Sequence, residues 1–510
     1  MALRTSASLL LAAALSAPAC ALPAVHRTSP QDGVPAINAE QRDAGLEEKV
    51  DRAVQLAQQG NLPEAALAFD AALDDPRMAS APAELRARVL STAAWADASL
   101  RRFPRATERA QQAIALAPDQ VLPLFTLSAI EAAQGHVKPA AALMVRAIGN
   151  AVGPMPINIE RVSKMQRNLI KAPTERREFL QALFDNHWLD EGDEPVELWL
   201  TLAGLQHDAG DGDAVRATIA RINGPMELIQ LRSDKRFDAY VDRSSPRFDP
   251  RLAAQRQMDD LRVRASLSDG NDSSLTLLSA TALTLGDTAQ VMAMTDGIAD
   301  AAAKGGQLEE PEGKWAGWLL ASRAVAQRRM GQSDAALQTA RMAARLAKGR
   351  PYAAVHQLNV GLMLCARGQY EEARASIASM PDLVGYGAAQ QQYIRFVAAH
   401  HGGDAPAAAD ARQRVAALGE DAHEMQYELP LVTGQMDDAA RALIAQLRSP
   451  ELRGSTLLAL QEMRTVPSLP ATAAVDARWR QLKARPDVQA AVAELGRIER
   501  YDLFGSDSSR

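Results

Sequence analysis

The chain has 510 residues, a hydrophobic fraction of 47%, aromatics at 4% and a formal net charge of −6. That length allows several compact domains or one long solenoid, and the hydrophobic fraction is enough to fold it throughout. A duplex-binding protein must neutralise phosphates with clustered cations in surplus, and this acidic chain has no such surplus, which excludes nucleic acid as the partner class.

Alanine supplies much of the apolar content. It is the best helix former, and its small side chain lets helices approach closely, so the composition points to a tightly packed all-helical protein. The first residues, MALRTSASLLLAAALSAPACALPA, carry one positive charge, an apolar run and then small residues. That is the pattern of a secretory signal peptide over residues 1–21, and it is too short for a spanning helix. Export to the periplasm is the expectation. The alternative is a lipid anchor through Cys20, although Ala17 and Pro18 fit a lipobox poorly. No later run reaches the length a transmembrane segment requires. Cys20 and Cys365 are the two cysteines, so a disulfide framework is excluded, and Cys365 reads as a small buried hydrophobe.

Residues 22–45 are rich in Pro, Asp and Gln without an apolar period and read as a disordered linker. Three helical hairpins follow in 46–150. In the first, Val50, Ala53, Val54 and Leu56 mark one helix, Gly60 a turn, and Pro63, Ala65, Phe69 and Ala72 the next. Gly60 suits a left-handed cap, and Pro63 a helix start where its missing N–H is no loss. The second spans 87–118 with Phe103-Pro104 at its turn, and the third 121–148 with Gly135 at its turn. Ala106 and Ala140 lie 34 residues apart (140 − 106), as do Ala113 and Ala147 (147 − 113).

The period, the turn Gly, the Ala five residues later, a large apolar residue and a further Ala together resemble the tetratricopeptide repeat. The resemblance implies an all-α fold, an α-α superhelix of stacked hairpins, built as one solenoid or as two halves joined by a divergent helical middle. It places Ala65, Ala106, Ala140 and Ala373 where the two helices of a hairpin cross, and Ala72, Ala113 and Ala147 against the next repeat. Phe69, Met144 and Ile377 would fill the layer between. The pattern weakens over 151–310, where Pro154-Met155-Pro156 interrupts it, and returns over 311–447. Its clearest unit is 353–380, with Gly368 at the turn. The last stretch, 448–510, supplies two or three helices whose natural role is a polar terminal cap.

Candidate chemistry is sparse. Arg101, Arg102, Arg105 and Arg109 form a basic patch, read as a solvated face that an acidic partner could also use. His400 and His401 are adjacent at a helix end, a spacing that points them about 100° apart and suits a cap, with imidazolium favouring the helix dipole, better than a metal site. The Asp208–Asp213 run and Asp269-Gly-Asn-Asp272 lack the ligand register of a calcium loop and read as turn chemistry. No catalytic constellation, phosphate loop, dinucleotide fingerprint, cofactor site or metal site is present.

The resemblance implies a non-catalytic scaffold of the bacterial cell envelope, holding a protein or peptide partner on the concave wall lined by first helices. Aligning the hairpins puts Trp95, Phe125, Trp318, Leu358 and Leu362 on that wall, where polar residues are the norm, so an apolar furrow is the expected partner site. The competing expectation is that the superhelix closes on itself or that a helix of the middle region covers these residues. Two further readings stay open: a lipid-anchored outer-membrane assembly factor, and an enzyme or enzyme accessory with its site in the divergent middle.

Overall fold

The computed structural model describes residues 44–153, 155, 157–190, 192–267, 273–304 and 312–505. The leader, Cys20, nearly all of the 22–45 linker and the Asp269–Asp272 turn lie outside them. The described residues fall into two compact units that divide between Leu198 and Trp199, inside the stretch 151–310.

The first unit is a stack of helix pairs. α1 (Ala44–Gln58) pairs with α2 (Leu62–Leu73), α3 (Ala83–Ser99) with α4 (Phe103–Leu116), and α5 (Val121–Ala133) with α6 (Val137–Gly149). α7 (Ile159–Asn168) and α8 (Pro173–Asp185) close the unit against α6. Each second helix packs on the next first helix, and first helices also pack on one another, α3 on α5 among them.

Sequence dictates this locally. Gly60 adopts φ +78, the left-handed conformation that a Cβ penalises, and lets Asn61 N–H donate to Leu56 O at 3.0 Å, closing the first helix. Gly135 does the same in the third hairpin with φ +83. In the second hairpin this position is held by Arg101 at φ +60, a strained choice for a residue with a side chain. Ala65, Ala106 and Ala140 are fully buried at the crossings, as are Ala72, Ala113 and Ala147 towards the neighbouring pair, with Phe69 and Met144 in the layer between. Each such large side chain contributes about 1.5–3 kcal/mol by leaving water.

The second unit continues the pattern. α9 (Val196–Asp208) and α10 (Gly212–Ala220) come first, with Asp211 capping α10 by accepting from Ala214 N–H at 3.1 Å. Next are α11 (Pro225–Ser233), α12 (Pro250–Leu267), α13 (Ser274–Leu285) and α14 (Thr288–Ala303). The regular pairs are α15 (Glu312–Arg329) with α16 (Ser333–Leu346), α17 (Ala353–Ala366) with α18 (Tyr370–Ile377), α19 (Gly385–His401) with α20 (Ala405–Ala417), and α21 (His423–Thr433) with α22 (Met436–Arg448). Ala373 and Ile377 are buried at their expected places. Gly361 is equally required, since a Cβ there would come within 2.8 Å of Ile394 Cδ1 on the next hairpin. Each unit is therefore all-α, an α-α superhelix of tetratricopeptide-like hairpins.

The last stretch departs from a polar terminal cap. α23 (Arg453–Leu460) is followed by strand β1 (Glu462–Arg464), α24 (Ala473–Ala484), α25 (Pro486–Leu495) and strand β2 (Arg500–Phe504), which pairs in parallel with β1. β2 lies against α12 and α13, and α23 packs on α11. Helix contacts run α11, α12, α13, α15, then through the pairs to α21, α22 and α23, and back to α11. Within this unit the stack returns to its own start.

Candidate partner-binding surface

The five residues expected on an apolar wall separate between the units. Trp95 and Phe125 belong to the first, on α3 and α5, and both are half-buried. Trp95 packs with Val50 and Val54 of α1 on one apolar cluster that includes Ala53, Phe69 and Ala93. Phe125 has Arg161 of α7 over its ring, 4.4 Å from guanidinium carbon to centroid, and Leu122 one turn earlier is half-buried as well. A guanidinium over an aromatic face is attracted by the ring quadrupole and leaves the rest of the ring available. The helices α1, α3 and α5 thus carry a half-exposed apolar stripe, rimmed on one side by Arg161.

Trp318, Leu358 and Leu362 stand differently: they are 3%, 1% and 0% exposed. Leu358 and Leu362 sit in the main core cluster of the second unit, and Val475 from the C-terminal α24 packs against that cluster. These three residues are core, not an open furrow. The physical reason is hairpin packing: Leu358 and Leu362 share a cluster with Ile377, Ile394 and Phe396, and Trp318 packs on Tyr352 and His356. The C-terminal stretch also lies over this part of the unit. Arg328 donates to Pro467 O at 2.7 Å, Ala471 comes beside Gly368, and Arg478 donates to Leu431 O and Val432 O at 2.8 Å each. The stretch therefore visits the turn ends of three of the four regular hairpins.

Trp318 is part of a buried ring cluster with His356 at 4.6 Å between centroids, and Tyr352 lies 5.7 Å from the same imidazole. Neither His356 ring nitrogen has a hydrogen-bond partner. Burial pushes its pKa down from 6.5 to about 4, so it is neutral at physiological pH. Gly317 makes the room, because a Cβ there would lie 2.9 Å from Nε2.

Of the basic patch, Arg101, Arg102 and Arg105 are exposed and Arg109 is buried. Arg109 is 8% exposed and donates to Asp97 Oδ2 at 2.6 Å and also to Asp70. Arg105 donates to Asp70 at 2.5 Å. Burial works to raise the Asp70 pKa, but the hydrogen bonds from Arg105 and Arg109 outweigh it and hold the carboxyl below its usual range. Asp97 itself is fully buried. Asp70 lies on the preceding hairpin and Asp97 on α3 of the same hairpin, so the acidic partners of Arg105 and Arg109 come from this chain.

The paired histidines serve packing. His401 stacks on Tyr370 with centroids 4.2 Å apart, and His400 stacks on Phe396. Burial, then the neighbouring His400, lowers the pKa of His401, so the helix dipole does not hold it as imidazolium. Cys365 is buried, and burial pushes its thiol up to about 12, which leaves it protonated and inert. Among the described residues no three His, Cys, Asp or Glu side chains are placed to hold a metal ion.

The sequence reading missed Val50, Val54 and Leu122 as surface partners of Trp95 and Phe125. The signal was there: Val50 and Val54 are four apart, and Leu122 and Phe125 three apart, a second apolar stripe beside the alanine face.

No family model and no curated protein matches the chain. Among solved structures it is similar to the tetratricopeptide-repeat domain of P58(IPK), at 12% identity over 86% of this chain and all of that one, with a TM-score of 0.20. It is similar to Naa15/Naa10 bound to HypK-THB at 11% identity, covering 88% of this chain and 79% of that one, with a TM-score of 0.27. It is likewise similar to the APC/C hetero-tetramer Cut9-Hcn1 at 11% identity, 89% and 96% coverage and a TM-score of 0.26. At these scores the likeness adds nothing to the architecture, which rests on the hairpin geometry itself.

Proposed function

We propose that the chain is a non-catalytic scaffold of the bacterial cell envelope, exported to the periplasm by its N-terminal leader, and that it holds a partner polypeptide on the α1, α3 and α5 face of the first unit. The observation that carries this reading is the pair Trp95 and Phe125, two partly exposed aromatics on neighbouring first helices, with Val50 and Val54 packed in one cluster with Trp95 and Leu122 three residues before Phe125. Aromatic side chains dominate the energetics of protein–protein contacts when a partner desolvates them fully. The partner chemistry that fits is an apolar polypeptide segment. Binding proceeds by complementarity on a pre-formed helical surface, without a covalent step.

Site-specific photocrosslinking tests the proposal. A photoreactive residue at position 95 or 125 is expected to give one discrete polypeptide adduct in periplasmic extracts. The same probe at Leu67, which is 68% exposed on α2, is expected to give none. The adduct from position 125 should vanish when Trp95→Ala is added. Equal labelling from all three positions would overturn the reading. Mass spectrometry of the mature N-terminus tests export, and separates cleavage before a free residue from acylation at Cys20.

A further inference from the structure

Where the second unit meets its own start, the join differs in balance from the hairpin packing. Between neighbouring hairpins the contacts are built on an apolar core, as in the cluster of Leu358, Leu362, Ile394 and Phe396, with ion pairs such as Arg367–Asp334 at its edge. At the join the apolar part is Ile229, Ala254, Tyr501 and Leu503, with Met226, Leu285, Leu458 and Met463 packed partly buried against them. The rest is charge and backbone. Arg232 meets Glu499 at 2.9 Å, and Tyr501 Oη donates to the same carboxylate at 2.7 Å. Arg497 pairs with Asp238 at 2.6 Å and also donates to Arg232 O at 2.7 Å. Arg251 pairs with Asp502 at 2.6 Å. Arg236 donates to Pro450 O at 3.2 Å, Lys235 to Ala493 O, and Arg497 N–H to Ser233 O at 2.9 Å. Two glycines set the closeness of the join. A Cβ on Gly496 would stand 2.5 Å from Ser233 O, and one on Gly454 would stand 2.7 Å from Gln230 Oε1.

We propose that this seam is an opening point: the clasp α23–β2 detaches from α11 and α12 as one piece while the hairpins α15 to α22 stay folded, and ionic strength sets how often it does so. Stability within a protein is uneven, and segments held by few buried apolar contacts open first. Half-exposed arginine–carboxylate pairs are also the contacts that salt weakens, since the screening length falls to about 3 Å at 1 M. Arg251–Asp502 is of this kind, at 43% and 68% exposed, while Arg232–Glu499 is more shielded at 15% and 22%. Opening uncovers the ends of the stack and loosens the stretch that lies over the hairpin turns.

A reversible lock tests this. The Cβ position of Gly454 lies 4.0 Å from Gln230 Cβ, within the range a disulfide spans. In a Cys20→Ser background, Gln230→Cys with Gly454→Cys gives a full-length protein that oxidation locks and reduction frees. Cys365 is buried and stays out of the reaction. Hydrogen exchange of the reduced protein should show α11, α23 and β2 exchanging together, roughly tenfold faster in about 1 M salt than in low salt, with α17 and α19 unchanged. Oxidation should slow the same segments by roughly tenfold or more and abolish their salt dependence. If locking leaves these segments unchanged, or if they exchange no faster than α17, the seam does not open short of global unfolding and the proposal fails. The unsubstituted protein supplies an independent reading: its salt response should weaken in Glu499→Gln, and an unaltered response would likewise overturn the proposal.

Discussion

Replacing His356 by Phe should remove a block of acid sensitivity from the second unit. The imidazole is 1% exposed, lies against Trp318 and Tyr352, and makes no hydrogen bond through either nitrogen. Its folded pKa is about 4, against 6.5 for the free side chain, because burial penalises the charged form. The folded value lies below the unfolded one, so between these limits the unfolded chain binds the proton and the folded chain refuses it. Stability is therefore complete above pH 6.5, declines as pH falls, and stops declining near pH 4. At about 1.4 kcal/mol for each pH unit, the decline comes to about 3 kcal/mol. His356→Phe keeps an aromatic ring in the cluster and loses no hydrogen bond, so at pH 7.5 it should sit within about 1.5 kcal/mol of the parent. Urea unfolding of both proteins from pH 7.5 to 4.5 reads the result as a difference, in which the carboxylates common to both cancel. The curves should converge or cross as pH falls, with the variant gaining. Parallel curves would show that His356 takes up its proton without cost, and the reading of its surroundings would be refuted.

Arg109→Leu should destabilise the first unit by about 3–5 kcal/mol in urea unfolding, because it leaves the fully buried Asp97 with only Arg102 and Arg105 at 3.7 Å. Asp97→Leu with Arg109→Leu should cost much less than the sum of the single changes, and additive effects would count against a buried pair. Ala373→Arg places a long charged side chain at the α17–α18 crossing and should cost on the order of 1–3 kcal/mol or more, read as a lowered Tm; an unmoved Tm would remove Ala373 from the crossing. Arg101→Gly should go the other way, raising stability by about 1 kcal/mol, since it relieves a positive φ at an exposed residue.

What could be read from the sequence follows from how local each interaction is. The turn at Gly60, the crossing at Ala65 and the filler Phe69 lie within ten residues, and their spacing recurs at Gly135, Ala140 and Met144, so period alone placed them. The arginine patch was half legible. Asp70 and Arg105 are one repeat apart, the separation at which neighbouring hairpins meet, but the charge count alone suggested solvent. Arg101 in the turn could not be foreseen, because its left-handed conformation is imposed by the helices on either side. β1 and β2 are three and five residues long, too short for their alternation to stand out, and their pairing joins positions 38 residues apart. The seam is the extreme case: Arg251 and Asp502 are 251 residues apart. Whether such ends meet depends on the small rotation that each hairpin adds to the last, a sum that no local pattern encodes.

Packing within each unit decides which face is left for a partner. Trp95 and Trp318 are both on first helices. They differ in what packs on them. In the second unit Trp318 lies against Tyr352 and His356. Leu358 and Leu362 share a cluster with Ile377, Ile394 and Phe396, onto which the stretch after α23 also brings Val475. Each of those leucines gains about 1.5–3 kcal/mol from burial, so a competing ligand would first have to give back several kcal/mol of intramolecular contact. In the first unit, Trp95, Phe125, Val50, Val54 and Leu122 keep part of their surface in water, and that unrealised burial is available to a partner. An apolar ligand therefore gains on α1, α3 and α5 what the second unit has already spent on itself.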